Sequence, residues 1–148
     1  MAETFTQDGL AYIYRTAFNG STAVTTFWVG EFVSATPSTV PASTASGASS
    51  GWTEMSAATG TYARQSVAAS AITSAAVVGA SAVGSTWPQV TFTGFTSASP
   101  ANGYFIATGS VGSAGSPLLF ANFDSGASRS HLTTSDTLAV TPALRGTP

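Results

Sequence analysis

Any hydrolytic reading of this chain must pass through its single histidine, His131, which has Ser128, Ser130 and Asp136 close by in sequence. On an extended strand Ser130 and His131 point to opposite faces. A Ser-His-Asp triad is built from residues that the fold brings together, not from sequence neighbours, so a surface or core imidazole explains His131 without chemistry. Paired carboxylates are the second arrangement to consider. Glycoside hydrolysis needs two acids across a scissile bond, and Glu31 with Glu54 is the available pair, although nothing in the sequence sets their separation. The other acids are Glu3, Asp8, Asp124 and Asp136. Asp124 and Asp136 sit at turns, where an Asp usually caps its own backbone, so a calcium site is not expected there. With no Cys and one His, a transition-metal site from this chain alone is not expected either. The expectation is a protein without catalytic residues, metal or cofactor.

Three further features concern binding. Trp28, Trp52 and Trp87 either form a sugar-stacking platform or fill the core of a strand protein. Tyr62 and Arg64 lie two positions apart and share one face of a strand pattern. They are read either as an inter-subunit contact, Tyr, Trp and Arg being enriched at interface hot spots, or as a cross-strand pair on a solvated face. Trp52, Tyr62 and Arg64 are therefore the candidate subunit-interface residues.

Composition narrows the partners. The chain has 148 residues, four Arg, no Lys and six acids, for a net charge of -2 and a charged fraction of 7%. An average globular protein carries about 25%. Phosphate binding needs clustered cations, which four scattered Arg cannot supply, so nucleic acid is not an expected partner. Ser and Thr, about three residues in ten, cover the surface instead. Such a surface has little repulsion to keep copies apart and suits a protein packed against neighbours, though a neutral extracellular-type β domain has the same composition. The longest weakly polar run, residues 68–83, is interrupted by Ser and too short to span a bilayer. Residues 1–8 carry acids where a signal peptide carries basic residues, so no export signal is read and the chain is expected to be made in the cytoplasm.

The elements that must position these residues read as strands. In residues 10–18, Leu10, Tyr12, Tyr14, Thr16 and Phe18 alternate with Ala11, Ile13, Arg15 and Ala17. Asn19-Gly20 follows, and a second run reaches residue 33. Asn-Gly between alternating runs predicts a hairpin, because a type I′ turn needs φ > 0 at both central residues. Residues 1–9 read as an N-terminal arm and residues 34–51 as a long Ser/Thr/Ala/Pro loop broken by Pro37 and Pro41. Further strands are expected over 61–67, 75–78, 89–95, 104–108, 118–123, 127–132 and 137–144, separated by turn signals. Eight or nine short strands in one domain, residues 10–148, predict an all-β antiparallel sandwich with Greek-key or jelly-roll wiring.

At Trp52-Thr53-Glu54, Tyr62-Ala63-Arg64-Gln65-Ser66-Val67, Gly103-Tyr104-Phe105-Ile106-Ala107 and Asp136-Thr137-Leu138-Ala139-Val140, the order and spacing resemble small virion structural proteins of tailed bacteriophages. Thr61 stands where that group commonly has Gly, and the Ser/Thr/Ala/Pro segment before Trp52 is an insertion. The resemblance implies a non-enzymatic β-sandwich particle component. Within that class it implies a capsid decoration, or cement, protein, a trimer on the capsid surface bound to the major capsid protein. A tail- or fibre-associated module that binds host-surface glycan through a Trp is the alternative.

Overall fold

The computed structural model describes residues 3–33, 54–55, 62–73, 76–77, 83–95, 101–110, 117–123 and 136–146. Strands dominate, and every strand pair among the described residues is antiparallel. The central sheet has five strands in the order β1 (Glu3–Phe5), β8 (Pro117–Asn122), β7 (Gly103–Ala107), β2 (Thr26–Phe32) and β3 (Gln65–Ala68). A second sheet orders β10 (Ala143–Gly146), β5 (Val83–Thr86) and β4 (Ala76–Val77), and β6 (Val90–Phe92) pairs with β9 (Leu138–Val140). These ten strands bear out a mainly-β antiparallel protein. The predicted strand over 127–132 and the loop at 34–51 lie outside the described residues.

Residues 10–18 are not a strand. They belong to helix α1 (Gln7–Phe18), and the predicted hairpin does not form. The same residues fit both periods, since Leu10, Ile13, Tyr14, Ala17 and Phe18 recur at three and four as readily as the alternate set recurs at two. The ends decide between them. Thr6 is the N-cap, and its hydroxyl oxygen accepts from the Gly9 N–H at 2.8 Å. Asp8 in the first turn and Arg15 in the last complement the helix dipole. Asn19 is the C-cap, and the N–H groups of Asn19 and Ser21 both reach the Arg15 carbonyl at 3.1 Å. Gly20 follows at φ 65°, the left-handed conformation that closes helices as well as hairpins. Asn19-Gly20 is thus a helix stop, not a hairpin turn.

Residues 3–9 are not an arm either. Glu3–Phe5 pairs with β8, with Glu3 opposite Ala121 and Phe5 opposite Leu119. The Thr6 N–H then donates to the Leu118 carbonyl at 2.9 Å, and the fully buried Thr6 hydroxyl donates to the Pro117 carbonyl. One threonine therefore caps α1 and ties it to the edge of the central sheet.

Alternation along β2 divides the core. Val29 and Glu31 share a face with their cross-strand partners Ile106 and Tyr104. On that face the main cluster gathers Trp87, Val90, Phe92, Phe95 and Leu119. Gly30 and Phe32 point the other way, where Phe32, Phe105, Ala107 and Phe120 form a second, fully buried cluster. β2 is covered on both sides, as its two apolar faces require. Val90 and Phe92 of β6 are buried, while Thr91 and Thr93 are exposed, as alternation predicts. Phe95 is buried as well, because Gly94 at φ 75° breaks the period-two phase and turns the chain back inward.

Candidate functional site

Glu54, Tyr62 and Arg64 meet beside the last residues of β2, where the backbone of Glu31 joins them while its side chain turns to the opposite face of the strand. β2 supplies Glu31, and an isolated antiparallel bridge from Phe32 to Glu54 sets the second acid beside it. The Met55 N–H donates to the Glu31 carbonyl at 2.9 Å and holds that crossing. Tyr62 and Arg64 come from the residues leading into β3. The Glu31 N–H donates to the Tyr62 hydroxyl at 2.8 Å, and that hydroxyl donates toward Glu54 Oε1 at 3.5 Å. Arg64 holds Glu54 in a two-pronged pair, Nε to Oε1 and Nη2 to Oε2, each at 2.7 Å. Its third donor, Nη1, reaches the Gly109 carbonyl at 2.7 Å, and the guanidinium lies 4.9 Å over the Phe105 ring. Arginine alone among side chains offers this planar fork together with a stacking face.

The cluster is largely shielded from solvent, with Glu54 keeping 21% side-chain exposure. Glu31 is 0% exposed and Arg64 5%. Burial raises the Glu31 carboxyl from 4.5 to about 8, so it holds its proton at neutral pH. Burial first, and the Glu54 charge second, push the Tyr62 phenol upward. Gly30 makes room for the arrangement, since a Cβ there would strike the Phe105 ring and the Tyr62 hydroxyl. An arrangement of this kind binds segment to segment. One carboxylate has both oxygens engaged by a guanidinium, and the other acid is sealed inside, so Glu31 and Glu54 do not present themselves as a pair to a substrate.

The candidates read from the sequence therefore separate. Tyr62 and Arg64 do share one contact, as their spacing suggested, but at 6% and 5% exposure they offer a partner subunit no surface and are not on a solvated face. Their partner Glu54 was legible in the sequence only as a mate for Glu31, because an acid is demanded by Arg64 only once Arg64 is known to be buried. Trp52, His131, Ser128, Ser130 and Asp124 lie outside the described residues. Trp87 is buried, its ring 5.4 Å from Phe27 and its Nε1 donating to the Ser85 hydroxyl at 3.0 Å, so it is core and not a platform. Among the described residues no three His, Asp or Glu side chains gather where they could hold a metal, and no helix is long and apolar enough to cross a membrane.

What the sequence pattern did not reveal is α1. Its sheet-facing side is made by Gly9, which lets the helix backbone touch the Leu118 carbonyl, and by Tyr12, whose hydroxyl accepts from the Val24 N–H at 3.0 Å. Beside it an apolar cleft of about 130 Å³ opens between Phe5, Tyr12, Ile13, Phe27, Trp87 and Leu118. The side turned away from the sheet carries Leu10, Tyr14 and Phe18, exposed at 42, 63 and 78%, and Ile13, exposed at 42%, stands between that side and the cleft. Tyr14 and Phe18 lie against each other there, ring centroids 5.7 Å apart. No protein family, curated protein or solved structure matches the chain.

Proposed function

We propose that this chain is a non-enzymatic structural component of a phage virion, a capsid decoration protein that binds the assembled shell and stabilises it. The observation that carries the reading is the exposed apolar side of α1 on a chain with a charged fraction of only 7%. Large rings left in water mark a surface meant to be covered by protein, and little charge opposes close packing. The buried ionisable groups agree, because Glu54 and Arg64 hold each other and Glu31 is 0% exposed. Two of the motifs that resemble virion proteins, Trp52-Thr53-Glu54 and the run from Tyr62, supply Glu54, Tyr62 and Arg64 to that cluster. We further read the central sheet and the β6–β9 pair, which share the main core cluster, as the two layers of a sandwich of Greek-key type.

The mechanism is mass action. A protein that binds only the completed shell lowers the free energy of that state, and many copies add their effects. Purified protein added to emptied, undecorated shells is expected to sediment with them and to raise their melting temperature. Absence of binding to such shells refutes the reading.

A further inference from the structure

We propose that α1 is a self-pairing face: two copies of the chain join through antiparallel α1 helices about a two-fold axis at Tyr14. The inference rests on reading the α1 face as a contact surface and assigns that face to a second copy, which leaves the shell contact of the decoration reading to another face of the pair.

Three observations carry it. On a helix turning about 100° per residue, Ile13, Ala17, Leu10, Tyr14 and Phe18 follow one another in steps of about 20–40° and span an arc of about 140°. Asp8 and Arg15 fall well outside that arc, so no like charges oppose a close approach. Second, Leu10, Ile13, Tyr14 and Phe18 are all the large hydrophobic side chains left exposed among the described residues. A head-to-tail contact would need a different apolar patch to receive this one. Among the described residues the patch that matches it is the same patch on another copy, which makes an isologous two-fold contact.

Third, Leu10, Tyr14 and Phe18 form a single ridge with equal spacing of four on either side of Tyr14. Reversing the ridge about Tyr14 sets Leu10 of one copy against Phe18 of the other and Tyr14 against its own counterpart. Ridges of this spacing interlock at a crossing angle of about -50°, and the antiparallel sense opposes the helix dipoles. The four side chains expose roughly 500 Å² of mostly apolar surface at the fractions given above. Used twice and buried in full, these side chains contribute at most about 1,000 Å², where specific contacts begin. A three-fold arrangement would divide the stripe between two neighbours and leave each contact about half that area.

The test uses the full chain. Sedimentation equilibrium from about 1 to 200 µM is expected to show a mass rising toward twice the 14.8 kDa of one chain. Tyr14→Glu and Phe18→Glu, both at exposed positions, are expected to keep the far-UV circular dichroism of the parent and to weaken pairing at least tenfold. Because the chain has no cysteine, orientation is read by disulfide trapping: Tyr14→Cys cross-links to itself, and a mixture of Leu10→Cys with Phe18→Cys yields the mixed dimer. A monomer throughout the range, a three-chain mass, or Phe18→Cys linking to itself in preference to Leu10→Cys overturns the proposal. A dimer that does not add to emptied shells leaves the pairing standing and removes the decoration reading. A monomer that does add to them has the reverse result.

Discussion

Replacing Glu31 with Gln is expected to stabilise the protein, and by an amount that grows with pH. In the unfolded chain the carboxyl ionises at its ordinary 4.5, while burial holds it to about 8 in the folded state. Below pH 4.5 both states keep the proton and stability is undiminished. Between the two values the unfolded chain sheds its proton and the folded chain does not, so each pH unit costs the native state about 1.4 kcal/mol. Above pH 8 both states are ionised and the loss levels off. Across the interval from 4.5 to about 8 the loss amounts to roughly 5 kcal/mol, of which about 3 is already present at pH 7. Gln fills nearly the same volume and carries no proton to lose. Its own fixed burial cost shifts the variant's stability equally at every pH, so the slope is the diagnostic quantity. Urea unfolding of both proteins, followed by tryptophan fluorescence from pH 4.5 to 9, gives the difference directly, and other titrating groups cancel in it. A difference that stays flat with pH, or that shrinks as pH rises, refutes the claim that Glu31 is folded away as a neutral acid.

Three other sites test the surrounding contacts by urea or thermal unfolding. Arg64→Met removes the partner of a buried carboxylate and should cost about 3 kcal/mol, the low end for a broken buried pair because Glu54 retains 21% side-chain exposure. Arg64→Lys should restore little of it, since an ammonium cannot grip both Glu54 oxygens and the Gly109 carbonyl together. Gly30→Ala places a methyl group against the Phe105 ring and the Tyr62 hydroxyl and should cost about 1–3 kcal/mol. Thr6→Ala removes the α1 cap and a buried donor to β8, for a loss of about 1–2 kcal/mol; a change under a few tenths would mean that α1 is held by other contacts.

Strands were legible wherever period-two patterning coincided with burial. Val90 and Phe92 against Thr91 and Thr93 were readable for that reason, while β7 and β8, buried on both faces, were readable as short continuous apolar runs between turn signals. β5 was not, because Val83-Gly84-Ser85-Thr86 has no large side chain to carry a pattern, and its place is set by pairing with β10. β9 and β10 read as one strand over 137–144 but are separate, with Pro142 between them unable to donate to a ladder. At the candidate site, adjacency of Tyr62 and Arg64 was visible and their depth was not. Depth depends on Glu31 and Glu54, which reach the pair through the fold and not through any local pattern.

The reading of α1 failed for a deeper reason than an ambiguous period. Sequence reasoning assigns apolar residues to the interior, and under that assumption Leu10, Tyr12, Tyr14 and Phe18 have to share a buried face, which only a strand provides. The chain reverses the assumption twice. It buries Glu31 and Arg64, and it leaves Leu10, Ile13, Tyr14 and Phe18 in water. The first reversal is tolerable because the acid stays protonated and the cation is fully paired. The second finds no remedy among the described residues, since α1 already rests on the sheet through Gly9 and Tyr12 and cannot turn its stripe inward without breaking the Thr6 and Asn19 caps. With so few charges to keep copies apart, an uncovered stripe of this kind favours association, which is what the proposed pairing of α1 helices would satisfy.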